Sequence, residues 1–211
     1  MSYPRPEEAG PAPDDQTDNF AFHPKNVYLT LLLFSLTVLF LTLTAAFVYT
    51  RIQAELPTLR LPWLFLFNTA VLLGSSYTIH LAKKEYLADN TDGYMRALWY
   101  TVGLSVLFML LQFVAWYQLF NEQVYIHSDV SAGYLYVISV LHFLHVVAGL
   151  PFLFVFIYQA RVHMREPVSV LVYFSDPDKR LNLRLLSMYW HFLDAMWIYL
   201  VIFFLVYQLA F

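Results

Sequence analysis

The sequence predicts an all-α membrane protein, a bundle of five transmembrane helices with its N-terminus in the cytoplasm and its C-terminus in the periplasm. Three observations carry this. The 211 residues are 60% hydrophobic and only 13% charged, with a mean hydropathy of +0.56, whereas a soluble domain averages about 25% charged residues. Five apolar runs are each long enough for a bilayer core, which takes about 20 residues in helical form because every backbone polar group has to be satisfied within the segment. Formal charges bound those runs sharply, and Asp194 is the lone charge inside one.

The first 26 residues differ in kind from the rest. Pro4, Pro6, Pro11 and Pro13 alternate with Glu7, Glu8, Asp14, Asp15 and Asp18 before Pro24, the composition of a disordered, solvated tail. No basic segment leads into a short apolar stretch, so no cleaved leader is expected and the first helix is expected to stay. The membrane domain, 27–211, then contains spans at about 27–50, 61–82, 97–120, 132–160 and 185–211. Lys25 and Arg51 flank the first, Arg60 and Lys83 the second, Arg96 and Glu122 the third, Asp129 and Arg161 the fourth, and Arg184 precedes the fifth.

With five spans the termini lie on opposite faces. The tail and the loops 83–96 and 161–184 together hold 10 Lys and Arg, and the other face holds only Arg51 and Arg60. The positive-inside rule therefore sets the orientation, which suits a multi-pass protein of a bacterial inner membrane. Tyr28, Tyr49, Trp63, Tyr100, Trp116, Tyr134, Tyr158 and Tyr207 near span ends suit interfacial belts, with Trp197 and Tyr199 deeper.

Composition also excludes function classes. With no Cys there is no disulfide, iron–sulfur cluster, covalently attached haem c, zinc ribbon or thiolate copper site. A net charge of -3 and no basic stripe argue against a nucleic-acid partner.

Polar residues within the spans mark faces turned toward protein. Thr30, Thr37 and Thr44 recur every seven residues in the first span; Asn68, Ser75 and Ser76 align in the second; Thr101, Ser105 and Gln112 align in the third. The fourth reads SVLHFLHVVAG, placing Ser139, His142, His145 and Gly149 on one face, and the fifth reads SMYWHFLDAMW, doing the same for Ser187, His191 and Asp194. A carboxylate this deep is costly unless paired or protonated, so Asp194 is expected to face the bundle with a histidine as partner. His80 and the histidines outside the spans (His23, His127, His163) are expected to be wet or interfacial.

Four readings of this constellation stand on spacing alone. His142 or His145 with His191 has the makings of a bis-His b-type haem site; His142, His145, His191 and Asp194 suit a metal; Asp194 and a His suit a proton relay; and a hydrogen-bonded network that fixes helix register needs no cofactor.

The same residues carry a family resemblance. YWHFLDAMW (Tyr189 to Trp197) resembles the signature Y-W-H-F-x-D-x-x-W of subunit III of the haem–copper oxidases, the cytochrome c and quinol oxidase family. HFLHVVAG (His142 to Gly149) is similar to its H-x-x-H-V-x-x-G, and NTAVLLGSS (Asn68 to Ser76) resembles its N-T-x-x-L-x-x-S-S. The likeness runs from about residue 27 to the end and fits the five-helix form, which lacks two leading helices. The accessory protein of nitric oxide reductase shares these motifs.

The resemblance implies an accessory subunit without a redox centre, packed against the catalytic subunit I and other subunits, with haem and copper held by those partners. It further implies phospholipid bound between helices, support for proton uptake by the catalytic subunit, and protection of the oxidase during turnover. Carried onto this sequence, Ser139, Asn68, Trp190 and Trp197 join His142, His145, His191 and Asp194 in a packing and lipid-site network, with none of them catalytic. Two positions depart from the family. A Glu usual in the first span, about nine residues before its Ala-Ala pair, falls at Leu36 beside Thr37, so proton handling through that carboxylate is not expected here. Thr-Gly, common before the first His, gives way to Ser139 and Val140, which predicts slightly wider packing at that point.

Overall fold

The computed structural model describes residues 24–54, 62–126, 129–163, 170 and 173–210. These residues form five long helices: α1 (Pro24–Ala54), α2 (Leu64–Leu87), α3 (Thr91–Asn121), α4 (Val130–His163) and α5 (Pro177–Ala210). All five are long and apolar enough to cross a membrane, and no strand occurs among the described residues. Most overrun the apolar stretches that announce them. Backbone hydrogen bonding does not stop where lipid stops, and the polar turns that follow meet headgroups and water.

Helix ends follow local chemistry. α1 begins at Pro24, inside the segment whose composition reads as tail, because proline at a first helical position forgoes an N–H that has no partner there anyway. The α2–α3 connection is a tight turn. Asp89 adopts φ 53°, a left-handed conformation that Asp tolerates better than most residues. The Asn90 side chain then accepts a hydrogen bond from Gly93 N at 3.1 Å and caps α3, with Asp92 in the first turn on the favourable side of the helix dipole. Pro151 lies within α4 and does not end it, as membrane helices allow. Leu61 and Phe211, at two expected span limits, and His23 and His127 lie outside the described residues.

The starts of α1 and α5 share one end of the molecule, where Lys25 Nζ meets Asp178 Oδ1 at 3.5 Å and Asn182 Oδ1 at 3.1 Å. The α2–α3 turn and the end of α4 share it too: Tyr86 donates to the Tyr173 carbonyl at 2.9 Å, and Lys179 to Gln159 Oε1 at 2.9 Å. This is the basic end. Its buried rings, Tyr86, Tyr94, Tyr173 and Phe174, close the bundle in a mutually edge-on cluster. Burial holds the Tyr173 phenol above its ordinary pKa.

α2 packs most extensively on α3 and next on α5, while α1 packs chiefly against α4 and α5. α1 is the most peripheral helix: 22% of its apolar window is buried, against 39–44% for the others. Two apolar clusters fill the interior. One holds Phe40, Phe47, Phe65, Phe108 and Trp197; the other, toward the basic end, holds Ile79, Tyr86, Leu98, Leu153 and Trp190. The outer surface is a coat of large apolar side chains such as Phe34, Phe67, Leu110, Phe154 and Ile202, as lipid or a membrane partner requires.

Hydroxyls on the outer faces are satisfied by their own helix. Ser35, Thr37 and Thr42 donate to the carbonyls of Leu31, Leu33 and Val38, each at 2.8 Å. The heptad of threonines in α1 is therefore not one packing seam. Thr30 is exposed, Thr37 turns back on its own helix, and Thr44 alone reaches another, at 2.8 Å from the Tyr199 hydroxyl. The expected aromatic belt is also divided. Tyr28, Tyr49, Trp63, Tyr100 and Tyr158 are exposed, whereas Tyr207 is buried beneath the Arg51 guanidinium, which lies 4.4 Å from its ring centroid.

Candidate functional site

Helical spacing turns the polar residues of α2 to α5 inward, and they meet at two levels. Nearer the basic end, Ser75 of α2 lies 3.5 Å from Ser105 of α3 and accepts a hydrogen bond from Trp190 Nε1 at 3.0 Å. Thr78 and Thr101 pair at 2.9 Å one turn along the same α2–α3 seam. Gly149 of α4 makes room for this arrangement: a Cβ there would stand 2.8 Å from Trp190 and 3.1 Å from Tyr189. The glycine is needed for close approach of the indole, and Tyr189 in turn donates to the His145 carbonyl at 2.9 Å.

The second level lies farther from the basic end. Asn68 donates to Gln112 Oε1 at 3.1 Å across α2 and α3. Trp197 stacks on Phe65 with centroids 5.6 Å apart and stands edge-on to Phe108 at 5.1 Å. His142 packs against Trp197 at 5.0 Å and Phe108 at 6.1 Å, and α1 closes its other side with Phe40 at 6.4 Å. One turn beyond on α4, Ser139 accepts from Trp116 Nε1 at 3.1 Å.

The sequence-selected residues thus separate into groups. Asn68, His142 and Trp197 belong to one level, with Ser139 just past it, and Trp190 belongs to the other. Asp194 and His191 both lie against α2 through a single hydroxyl: Ser76 Oγ is 2.6 Å from His191 Nδ1, and the same side chain is a hydrogen-bond partner of the buried Asp194. This corrects the expected pairing of Asp194 with a histidine. Residues three apart on α5 both project toward α2, whose small Ser76 fits between them, and the histidines of α4 point elsewhere. His145 stands apart. It is half-exposed on the wall of a cavity, with its Nδ1 donating to the Leu141 carbonyl at 2.6 Å.

That cavity, of about 560 Å³, lies between α1, α4 and α5. Leu29, Leu32, Phe152, Phe156 and Leu186 line it, with His145, Gln159, Asn182 and Tyr189 as its polar members. Two lysines attach to its amides, Lys25 to Asn182 and Lys179 to Gln159.

One expectation changes in this light. Val140 is exposed on the outer face of α4, so its replacement of a glycine widens no contact within the chain. Leu36 is buried, so the apolar residue at the position of the family's glutamate is absorbed into packing. As expected, His80 and His163 are exposed. Among the described residues no three His, Asp or Glu side chains are grouped to hold a metal ion. His142 is walled by the Phe40, Phe108 and Trp197 rings. Ser75, Ser105 and Gln112 prove as integral as the signature residues, and their alignment along the second and third spans was the signal for them. Trp116 carried no such signal, because an aromatic near a span end reads first as an interfacial anchor, and Tyr189 opened the fifth-span motif without being singled out.

These features define a class: a polytopic helical subunit whose in-membrane polar groups face one another across helices, inside an apolar coat. The family model for cytochrome c oxidase subunit III matches residues 26–209, and the chain belongs to that family. It is 32% identical over 137 residues to cytochrome c oxidase subunit 3 of Paracentrotus lividus and 31% identical over 139 residues to that of Hippopotamus amphibius, in each case over 65% of this chain and 48% of the relative. The chain spans about half the length of the curated relatives it matches.

Proposed function

We propose that the chain is an accessory, redox-inactive subunit of a bacterial respiratory haem–copper terminal oxidase, seated beside the catalytic subunit in the inner membrane with its basic end in the cytoplasm. In this reading the partner subunits hold the haems and copper, reduce oxygen and pump protons. This chain stabilises the catalytic subunit and binds phospholipid. One observation carries the reading: the family's signature side chains on α4 and α5 are spent on contacts with other helices, Trp190 on Ser75, His191 on Ser76 and His142 on a box of rings. Asn68, Ser139, Asp194 and Trp197 serve the same packing role within their separate groups, and none of these residues is catalytic.

The cavity between α1, α4 and α5 supports the lipid role. Its volume of about 560 Å³ falls in the range of roughly 300–1,000 Å³ typical of ligand pockets. Its apolar walls suit an acyl chain, and Lys25 and Lys179 beside its amides suit an anionic headgroup. His145 is on its wall as well.

The test is to solubilise the complex gently and weigh it by native mass spectrometry. Companion chains with haem absorbance and retained phospholipid are the expected result, with retention reduced when Leu32 is replaced by Trp to fill the cavity. A chain that purifies alone, with its own stoichiometric Soret band lost in His142→Ala or His191→Ala, overturns the reading.

A further inference from the structure

At the second polar level, five buried polar atoms from four helices have no partner: Asn68 Oδ1, Gln112 Nε2, His142 Nδ1 and Nε2, and Trp197 Nε1. All four residues are at most 1% exposed. Their placement in one layer follows from contacts between the helices. Asn68 and Gln112 are bonded to each other; Trp197 touches both Phe65, one turn before Asn68, and Phe108, one turn before Gln112; and His142 touches Trp197 and Phe108. Buried polar groups in proteins are nearly always paired, and the cost of leaving one unpaired is greatest where the surroundings are apolar.

The chemistry of the unpaired atoms specifies the ligand. Gln112 Nε2 and Trp197 Nε1 are donors, Asn68 Oδ1 is an acceptor, and a neutral imidazole offers one of each. Exchanging the two amides end for end leaves the same inventory, one free acceptor and one free donor. Two N–H groups repel a cation, and the carbonyl with the imidazole lone pair repels an anion. The five atoms therefore present three donors and two acceptors, and a small neutral molecule with two donors and two acceptors pairs four of them, leaving the imidazole N–H edge-on among the rings.

We propose that Asn68, Gln112, His142 and Trp197 form a binding site for a buried water molecule that joins α2, α3, α4 and α5. The water donates to Asn68 Oδ1 and to the unprotonated nitrogen of His142, and accepts from Gln112 Nε2 and Trp197 Nε1, so each of its four hydrogen-bonding positions is used. Buried waters commonly make about three such bonds. The role is positional: the layer holds four helices in register through groups that do not all reach one another directly. The proposal is independent of the oxidase reading, because it concerns this chain's interior alone.

Trp190 supplies an internal control, being as deeply buried as Trp197 but with its indole N–H given to Ser75 Oγ. Brief X-ray radiolysis of the membrane-embedded protein, with all chains that accompany it, oxidises side chains beside bound water. Mass spectrometry is expected to find Trp197 and His142 labelled several-fold more than Trp190, and a high-resolution map to show a peak at hydrogen-bonding distance from all four side chains. Labelling of Trp197 no greater than that of Trp190, or a map in which these groups pair directly while other buried waters are resolved, overturns the proposal. Gln112→Met, close in volume, removes the donor outright and is expected to reduce the excess labelling; an undiminished excess in that variant also overturns it.

Discussion

Gly149 shows how one residue constrains the bundle. A Cβ at this position would meet the Trp190 ring at 2.8 Å, and the indole is fixed by its bond to Ser75. Overpacking of a well-filled core costs about 1–3 kcal/mol, so Gly149→Ala is expected to lower the unfolding free energy in detergent by that amount, seen as a lower unfolding midpoint. An unchanged midpoint would show that the indole yields freely. Asp194 makes a second point at this scale. Its partner is a hydroxyl and one of its oxygens is unpaired, so the side chain acts through hydrogen bonding. Asp194→Asn is expected to keep assembly within about 1 kcal/mol of the parent, while Asp194→Leu leaves Ser76 with His191 as its one side-chain partner and costs about 1–3 kcal/mol. Comparing subunit retention in the two variants checks this, and equal losses would mean that the charge itself is required.

Among the elements, α1 is the least secured. Its few inward groups include Phe40, Phe47 and Thr44, and the hydroxyl of Thr44 meets Tyr199 of α5 at 2.8 Å. Interhelical hydrogen bonds in membranes are worth about 0.6 kcal/mol on average and up to about 1.7. A double-mutant cycle of Thr44→Val and Tyr199→Phe is expected to give a coupling energy in that range, read from the rate at which protease cuts the connection following α1. Additive effects would remove the bond as a tether of α1. The periodicity of α2 to α5 let their buried faces be chosen from sequence, since polar groups inside lipid have to turn inward. The threonines of α1 defeated that logic because a helix satisfies a hydroxyl with its own carbonyl four residues back, as Thr37 does with Leu33. Seven-residue spacing alone does not distinguish that from contact.

For the whole molecule, the testable property is its direction in the membrane. The chain has no Cys, so single cysteines report topology against no background. With the basic end inside, a membrane-impermeant thiol reagent added to intact cells is expected to modify Gln123→Cys, between α3 and α4, and to spare Lys84→Cys at the end of α2. The reverse pattern would invert the assigned topology. The shared end of α1 and α5, secured by Lys25 with Asp178 and Asn182, fixes which loops lie together and so makes two positions sufficient.

Five spans, their alternating direction and the inward faces of α2 to α5 were determined by sequence alone, because helices in a bilayer are apolar and each stray polar group is penalised. The partners of those residues were decided by tertiary structure. Periodicity places Asp194 on an inner face, but only the packing of α5 on α2 shows that Ser76, and not an imidazole, is within reach. Likewise the motif spacing puts His142 and His191 on inward faces without revealing that rings enclose one and a serine engages the other. A face is a property of a single helix; a partner depends on the rotation and depth of two.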